Sequence, residues 1–139
     1  MEVIKAPVEI KNKVNQFYRA AGYSGSWGEN EQAYCLSDSD NIVGAVKVES
    51  LEGVLILRGM YIASDKQSNG YGSLLLSQIE PVLNKAKSYC LPFDHLEDFY
   101  GKAGFVRISE TELPAFLQKR LGKYVDQGHS VMAMMREAS

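Results

Sequence analysis

The chain has 139 residues, of which 45% are hydrophobic and 23% are charged, a composition typical of one domain that folds around an apolar core. Its net charge of −2 argues against a protein that binds nucleic acid through a broad basic surface. No apolar run approaches the roughly 18 residues of a membrane span, and the first residues, up to Lys5, do not lead into the apolar segment of a secretory signal. The two cysteines, Cys35 and Cys90, are too far apart in the sequence to have the spacing of metal ligands.

From these properties we expect a cytoplasmic protein with a single domain over residues 1–139, no bound metal and two buried free thiols.

The first half of the chain predicts strands and one amphipathic helix. A short strand over residues 1–5 precedes a helix over residues 7–21, which has Pro7 in its first turn and stops at Gly22. Three segments rich in strand-forming residues follow at 32–36, 42–49 and 54–62, with short polar turns between them. Because such short turns join antiparallel strands, we expect a meander.

The second half predicts helices that alternate with short strands. Apolar residues keep a helical period over residues 74–86, so we expect one helix that is kinked at Pro81 rather than two helices. A strand over 88–93 precedes a helix that Asp94 caps, with Glu97 completing a capping box. An extended segment at 105–108, a helix over 113–124 and a last strand over 130–135 complete the chain.

This order predicts an α/β fold of the mixed α+β kind, with a central mixed, largely antiparallel sheet of about seven strands and helices on both faces. The strand that follows residues 74–86 should pair in parallel with the strand at 54–62. The last strand, at 130–135, is apolar enough either to lie in the core or to pair with a second copy, so the chain is expected to be a monomer or a homodimer.

The segment Gln67-Ser68-Asn69-Gly70-Tyr71-Gly72 lies between the strand at 54–62 and the helix that follows it. A glycine-rich turn that opens a helix presents backbone N–H groups at the positive end of the helix dipole, where phosphate binds. The turn lacks the lysine of a P-loop and the third glycine of a dinucleotide fingerprint. The sequence therefore predicts a phosphorylated cofactor of another kind.

Two motifs resemble those of the GNAT superfamily of acyl-CoA-dependent N-acetyltransferases. Gln67, Gly70 and Gly72 match the family's Gln/Arg-x-x-Gly-x-Gly/Ala pattern after the fourth strand. The run Phe99-Tyr100-Gly101-Lys102-Ala103-Gly104-Phe105 is similar to the family's Phe-Tyr-x-x-x-Gly-Phe run on the next helix. The specific resemblance covers residues 42–108, and the remaining chain agrees by its order of elements.

The resemblance implies a GNAT-like fold that binds acetyl-CoA, with backbone amides from Ser68 to Ser73 around the pyrophosphate. It also implies that the fourth and fifth strands splay apart, that an amine attacks the thioester directly in a ternary complex, and that Tyr100 donates a proton to the leaving thiolate. The implied cofactor-binding residues are Met60, Tyr61, Ile62, Gln67, Ser68, Asn69, Gly70, Tyr71, Gly72, Ser73 and Tyr100.

The general base is less well defined by the resemblance. Many members of the family carry a glutamate on the fourth strand, where Arg58 is the only charged residue of this chain. Glu49, Glu52 and His95 are the candidates, against the alternative that they are solvated or capping residues. Arg58 either favours an acidic acceptor or forms a surface ion pair.

The resemblance implies that the acceptor side is formed by the loop at residues 23–28 and by the helix over residues 113–124. Within that loop, Trp27 is either a mobile wall of the pocket or an aromatic residue at the edge of the core.

The resulting hypothesis is an N-acetyltransferase that moves an acetyl group from acetyl-CoA to a primary amine of a small molecule or a protein. The alternative is a non-catalytic acyl-CoA-binding module that acts through a protein partner. No nucleic-acid partner and no membrane partner are expected. The sequence does not identify the acceptor amine or the length of the acyl chain.

Overall fold

Seven strands form the framework of the protein, which a computed structural model describes from Met1 to Ser139. The strands are β1 (Glu2–Lys5), β2 (Glu31–Asp38), β3 (Asn41–Leu51), β4 (Val54–Ile62), β5 (Ser88–Cys90), β6 (Val106–Ile108) and β7 (Ala133–Arg136). The helices are α1 (Lys11–Ala20), α2 (Tyr71–Gln78), α3 (Glu80–Leu83), α4 (Glu97–Gly101) and α5 (Ala115–Asp126). Short 3-10 turns occur at Val8–Ile10, Ser64–Lys66, Asp94–Leu96 and Glu110–Glu112.

All seven strands join one sheet in the order β1-β2-β3-β4-β5-β7-β6. Strands β1 to β4 are antiparallel neighbours, which confirms the predicted meander. Strand β5 pairs with β4 in parallel, as the intervening helices require. The predicted fold class, a mixed and largely antiparallel sheet with helices, is therefore confirmed.

Helices cover both faces of the sheet, because successive strand residues point to opposite sides. On β2, Cys35 packs with α1 in one apolar cluster, whereas Leu36 packs with α2 in another. On β5, Tyr89 packs against α5, whereas Cys90 belongs to the cluster of α2 to α4. Helices α1 and α5 therefore share one face of the sheet, and α2, α3 and α4 cover the other.

The prediction of one kinked helix over residues 74–86 is wrong, because the chain forms α2 and α3 with a break at Ile79. Pro81 has no N–H to donate to the carbonyl of Ser77, so the helical ladder is interrupted there. The apolar phase is nevertheless kept, since both Ile79 and Leu83 are buried in the same cluster.

The predicted capping box at Asp94 is also wrong. Asp94 begins a 3-10 turn instead, and α4 starts at Glu97 without a side-chain cap. A capping box does form between Ser109 and Glu112, ahead of α5.

Strand β7 cannot pair with a second copy of the chain as the sequence suggested, because β5 and β6 occupy its two edges. Its apolar residues Ala133 and Met134 are buried within the protein. None of the five helices has the length and apolar character needed to cross a lipid bilayer.

Candidate functional site

A large cleft opens where β4 and β5 separate. The two strands pair only at Leu55 with Ser88 and at Ile56 with Tyr89. From Leu57 to Ile62, β4 keeps β3 as its neighbour but has no partner on the other side. The resulting cleft has a volume of about 720 Å³ and lies at the carboxyl ends of the two parallel strands, where open α/β sheets bind their ligands.

A β-bulge shapes the β4 wall of this cleft. Ala45 of β3 faces Tyr61, and Lys47 faces Arg58, so β4 carries one extra residue across from Val46. Gly59 adopts a φ of 62° within the bulge, a conformation that glycine reaches without strain. The hydroxyl of Tyr18 on α1 donates a hydrogen bond of 2.9 Å to the Gly59 carbonyl, which fixes the bulge to the helix beneath it.

The glycine-rich turn connects this wall to α2. Its six consecutive backbone amides, from Ser68 to Ser73, donate no hydrogen bond to any backbone carbonyl of the protein. Gly70 has a φ of 79°, and a Cβ atom at this position would meet nothing within 4 Å. The turn is held by the side-chain amide of Asn69, whose Nδ2 donates to the carbonyls of Lys66 and Gln67. A row of free N–H groups at a helix N-terminus is a binding site for an anion such as phosphate.

The two glycines of the turn, Gly70 and Gly72, are needed for different structural reasons. Gly70 needs its positive φ and leaves open space above the amides. Gly72 lies against the ring of Phe99, which a Cβ atom would approach to 3.3 Å. Gly72 therefore permits the packing of α2 on α4. Gln67 lines the cleft, and its side chain donates to the Ile62 carbonyl at the end of β4.

Tyr100 on α4 lines the cleft. Its side chain is buried, with edge-on contacts to the rings of Phe99 and Phe105. Burial raises the pKa of Tyr100 above its ordinary value, with smaller effects from Cys90 and Tyr61. The phenol is therefore protonated at neutral pH and is available as a donor in the cleft.

Three tyrosines form an aromatic wall around Lys47 on the α1 side of β4. Tyr23 lies between Tyr18 and Tyr61, with ring centroids 4.8 and 4.9 Å away. The ammonium group of Lys47 lies 5.0 Å from the Tyr23 ring and 3.1 Å from Glu31 Oε2. Lys47 is only 2% exposed, so its charge is balanced inside the protein by Glu31. Of this group, Tyr23 and Tyr61 line the cleft.

Two arginines line the same cleft, one from β4 and one from α5. Arg120 binds Glu49 through two contacts of 2.8 and 3.3 Å. Arg58 makes only longer contacts, at 3.5 Å to Glu31, 3.5 Å to Glu49 and 3.4 Å to the Tyr124 hydroxyl. Arg58 is the cation of this group without a short hydrogen bond.

Glu49 lies behind these arginines and does not line the cleft. Burial alone would raise the pKa of Glu49, but the hydrogen bond and charge of Arg120, with Arg58 and Lys47, lower it overall. A carboxylate held in this way accepts protons poorly. Glu52 is exposed in the β3–β4 turn at the opposite end of β4 and also lies outside the cleft lining.

No carboxylate lines the cleft, but both histidines of the chain do. Both imidazole rings lie near the ring of Phe93, whose centroid is 5.9 Å from that of His95 and 5.9 Å from that of His129. Imidazole is the side chain that most often transfers protons in active sites. No group of three or more histidine, cysteine, aspartate or glutamate side chains forms a metal-binding cluster.

The loop at residues 23–28 and the helix over residues 113–124, which the resemblance implied for the acceptor side, contribute Tyr23, Arg120 and Tyr124 to the cleft lining. Sequence reasoning did not single out these three side chains, and it missed His129 altogether. Arg120 and Tyr124 lie four residues apart on α5, and this spacing on one helix face was the available signal. Trp27, suggested as a pocket wall or a core residue, is a core residue. It is buried, and its indole N–H donates to the Glu31 carbonyl at 2.8 Å.

Comparison with known proteins places this geometry in a family. Residues 5–115 match the model of an acetyltransferase (GNAT) domain. No curated protein matches by sequence. Many solved structures share the fold, among them N-acetylglutamate synthase from Neisseria gonorrhoeae, solved with coenzyme A and N-acetyl-glutamate, at a TM-score of 0.73 and 16% identity. That match covers 99% of this chain but only 35% of the synthase.

Two further structures match along almost their whole length. The ribosomal-protein-S18-alanine N-acetyltransferase from Escherichia coli has a TM-score of 0.73 at 14% identity, with 99% of this chain and 94% of that chain covered. The PaiA N-acetyltransferase from Thermoplasma acidophilum, in complex with coenzyme A, has a TM-score of 0.66 at 13% identity, with 98% of each chain covered.

Proposed function

The chain belongs to the GNAT family of acetyltransferases, and we propose that it transfers an acetyl group from acetyl-CoA to a primary amine of a small molecule or a protein. The observation that carries this proposal is the run of free amides from Ser68 to Ser73 next to the cleft where β4 and β5 separate. An anion site and an open strand edge lie side by side, connected by Gln67.

The residues present fit acetyl-CoA in two places. The amides of the glycine-rich turn would hold its pyrophosphate, and Gly70 leaves the space that close approach to the backbone requires. The unpaired edge of β4 from Met60 to Ile62 offers backbone groups that would hydrogen-bond an extended amide-bearing arm. When bound, acetyl-CoA supplies a thioester carbonyl that an amine can attack directly.

The positive charge of the cleft favours the reactive form of an amine. Arg58 and Arg120 line the cleft, and no carboxylate does. A nearby like charge disfavours the protonated form of an amine and lowers its pKa. The acceptor would therefore enter as the neutral nucleophile more readily than in water, and the chain would need little help from a general base.

Proton transfer would use two kinds of group that line the cleft, the histidines and Tyr100. His95 would accept the proton of the attacking amine, and His129, which meets the same Phe93 ring, is the second group able to do so. Tyr100 would donate its phenolic proton to the departing thiolate. Burial raises the pKa of Tyr100, so the phenol would hold its proton until negative charge develops on the leaving sulfur.

Glu49 has a different role from the base that the sequence suggested. Its two oxygens hold Arg120 at 2.8 and 3.3 Å, and its carboxylate lies outside the cleft lining. We assign it as a positioning residue that fixes the arginines of the acceptor side.

A non-catalytic acyl-CoA-binding module remains the second candidate, because the cleft lacks the strand-four carboxylate that many members of the family carry. The two candidates share the donor site and differ in turnover. Release of free thiol in the presence of an amine separates them, since a module that only binds would release none.

The test is calorimetric titration with acetyl-CoA, followed by a thiol-release assay with a panel of amines. We expect saturable binding that Gly70→Glu abolishes, because the new carboxylate would cover and repel the phosphate site. Gly53→Glu is the matched control, since Gly53 has a φ of 80° and equally open surroundings in the β3–β4 turn. Absence of acetyl-CoA binding to the wild type would refute both candidates.

A further inference from the structure

Arg58 is placed to bind something that the protein itself does not supply. It lies on β4 in the wall of the cleft, and its side chain is 29% exposed. Its three polar contacts are 3.4 to 3.5 Å long, which is too long for strong charge-assisted hydrogen bonds. The guanidinium group therefore keeps donors free toward the cleft.

The charges around Arg58 do not cancel. Three cations, Lys47, Arg58 and Arg120, share two carboxylates, Glu31 and Glu49. The short contacts assign Glu31 to Lys47, at 3.1 Å, and Glu49 to Arg120, at 2.8 Å. The positive charge in excess therefore belongs to Arg58, the member of the group with the loosest contacts.

A free guanidinium in a partly buried wall favours a planar anion. Its parallel N–H groups match the two oxygens of a carboxylate, and the pair is strongest where water is limited. The Tyr124 hydroxyl, 3.4 Å from Arg58, provides a further donor beside it. A positively charged group of a ligand would be repelled by Arg58 at this point.

We propose that the acceptor is a small amine that also carries a carboxylate, and that Arg58 binds this carboxylate. The inference rests on the proposed acetyl transfer and specifies its acceptor. Arg58 and the open edge of β4 at Met60 line the same cleft, so a carboxylate on Arg58 keeps the amine of an amino acid in the cleft that this edge borders. Glu49 supports the site by occupying Arg120, which leaves Arg58 for the acceptor.

The experiment compares matched pairs of amines in the thiol-release assay, each an amino acid and its carboxamide. Among the accepted amines, we expect kcat/KM to be at least about tenfold higher for the carboxylate, as expected for one charge-assisted contact. Arg58→Gln should remove this preference mainly through KM, and Arg58→Lys should restore part of it. Arg107→Gln, an exposed arginine on β6 outside the cleft, should leave the preference unchanged.

Binding provides a second readout that does not depend on turnover. Calorimetry of the protein saturated with coenzyme A should detect N-acetyl amino acids but not their carboxamides, and thermal melting of each variant checks its fold. Equal use of both members of the pairs, a preference that survives Arg58→Gln, or no binding of either product would overturn the inference. Failure of the proposed function differs from all of these, because either acetyl-CoA itself would then not bind or no amine, with or without a carboxylate, would release thiol.

Discussion

Tyr100 is the residue whose chemistry depends most on its surroundings. We expect Tyr100→Phe to lower kcat by about tenfold or more, the usual effect of losing a general acid, and to leave acetyl-CoA affinity nearly unchanged. The ring would keep its contacts with Phe99 and Phe105, so packing is preserved. Steady-state kinetics and calorimetry on the same variant separate the two effects.

The control for this substitution is Tyr34→Phe, since Tyr34 is a half-buried tyrosine of β2 that does not line the cleft. It should retain wild-type turnover. If Tyr100→Phe also turned over normally, the phenol would have no part in proton transfer, and the leaving thiolate would have to be protonated by water.

At the level of secondary-structure elements, the β-bulge of β4 shapes the proposed acceptor side of the cleft. A Cβ atom at Gly59 would approach Lys47 Cε to 3.0 Å and the Tyr18 hydroxyl to 3.1 Å. We therefore expect Gly59→Ala to destabilise the fold by about 2–4 kcal/mol, from the left-handed backbone and from overpacking together. Denaturant unfolding measures this loss.

Gly53→Ala separates the two contributions to that loss. Gly53 has a φ of 80°, but a Cβ atom at this position would meet nothing within 4 Å, so only the backbone cost of about 1–2 kcal/mol should remain. Equal losses at Gly53 and Gly59 would mean that the bulge tolerates a side chain, contrary to the contacts described above.

Local signals were enough to predict most elements but not all of their boundaries. The meander follows from polar turns between strand-forming runs, and the glycine-rich turn follows from Gly70 and Gly72, since turn chemistry is encoded by adjacent residues. The break at Ile79 was missed because the apolar phase continues across Pro81, and buried packing of Leu83 does not require an unbroken helix.

The acceptor side was less predictable because it depends on contacts between distant residues. Arg58 and Tyr124 are 66 positions apart, and Glu49 and Arg120 are 71 apart. Only the packing of α5 against the sheet brings them together. The bulge at Gly59 also changes which side chains of β4 face the cleft, and no pattern of alternating residues reveals it.

Ion pairing at Glu49 connects the acceptor side to the stability of the whole molecule. The arginines lower the pKa of Glu49 in the folded state, so the folded state binds this proton less readily than the unfolded chain. The stabilisation is therefore fully present above the unfolded pKa of about 4.3 and is lost as pH falls through the lower folded value. The free energy of unfolding of the wild type should therefore decrease as the pH falls from about 4.3 through the lower pKa of Glu49 in the folded state.

Glu49→Gln should be less stable than the wild type at pH 7, and the difference should narrow as pH falls below about 4. Thermal melts across this pH range measure the effect. The matched control is Glu137→Gln, whose partner Lys87 lies 3.7 Å away on an exposed surface, where an ion pair contributes little. A constant gap between Glu49→Gln and the wild type at every pH would contradict the assignment.

The open edge of β4 separates two kinds of recognition along one strand. Its backbone groups from Leu57 to Ile62 border the cleft whatever side chains the strand carries, whereas Arg58 would bind the proposed acceptor only through its side chain. The proposed donor binding through the backbone would therefore be insensitive to substitutions in the proposed acceptor pocket. An acetyltransferase built on this sheet could change the amine that it modifies, one side chain at a time, without rebuilding the part that would hold its acetyl source.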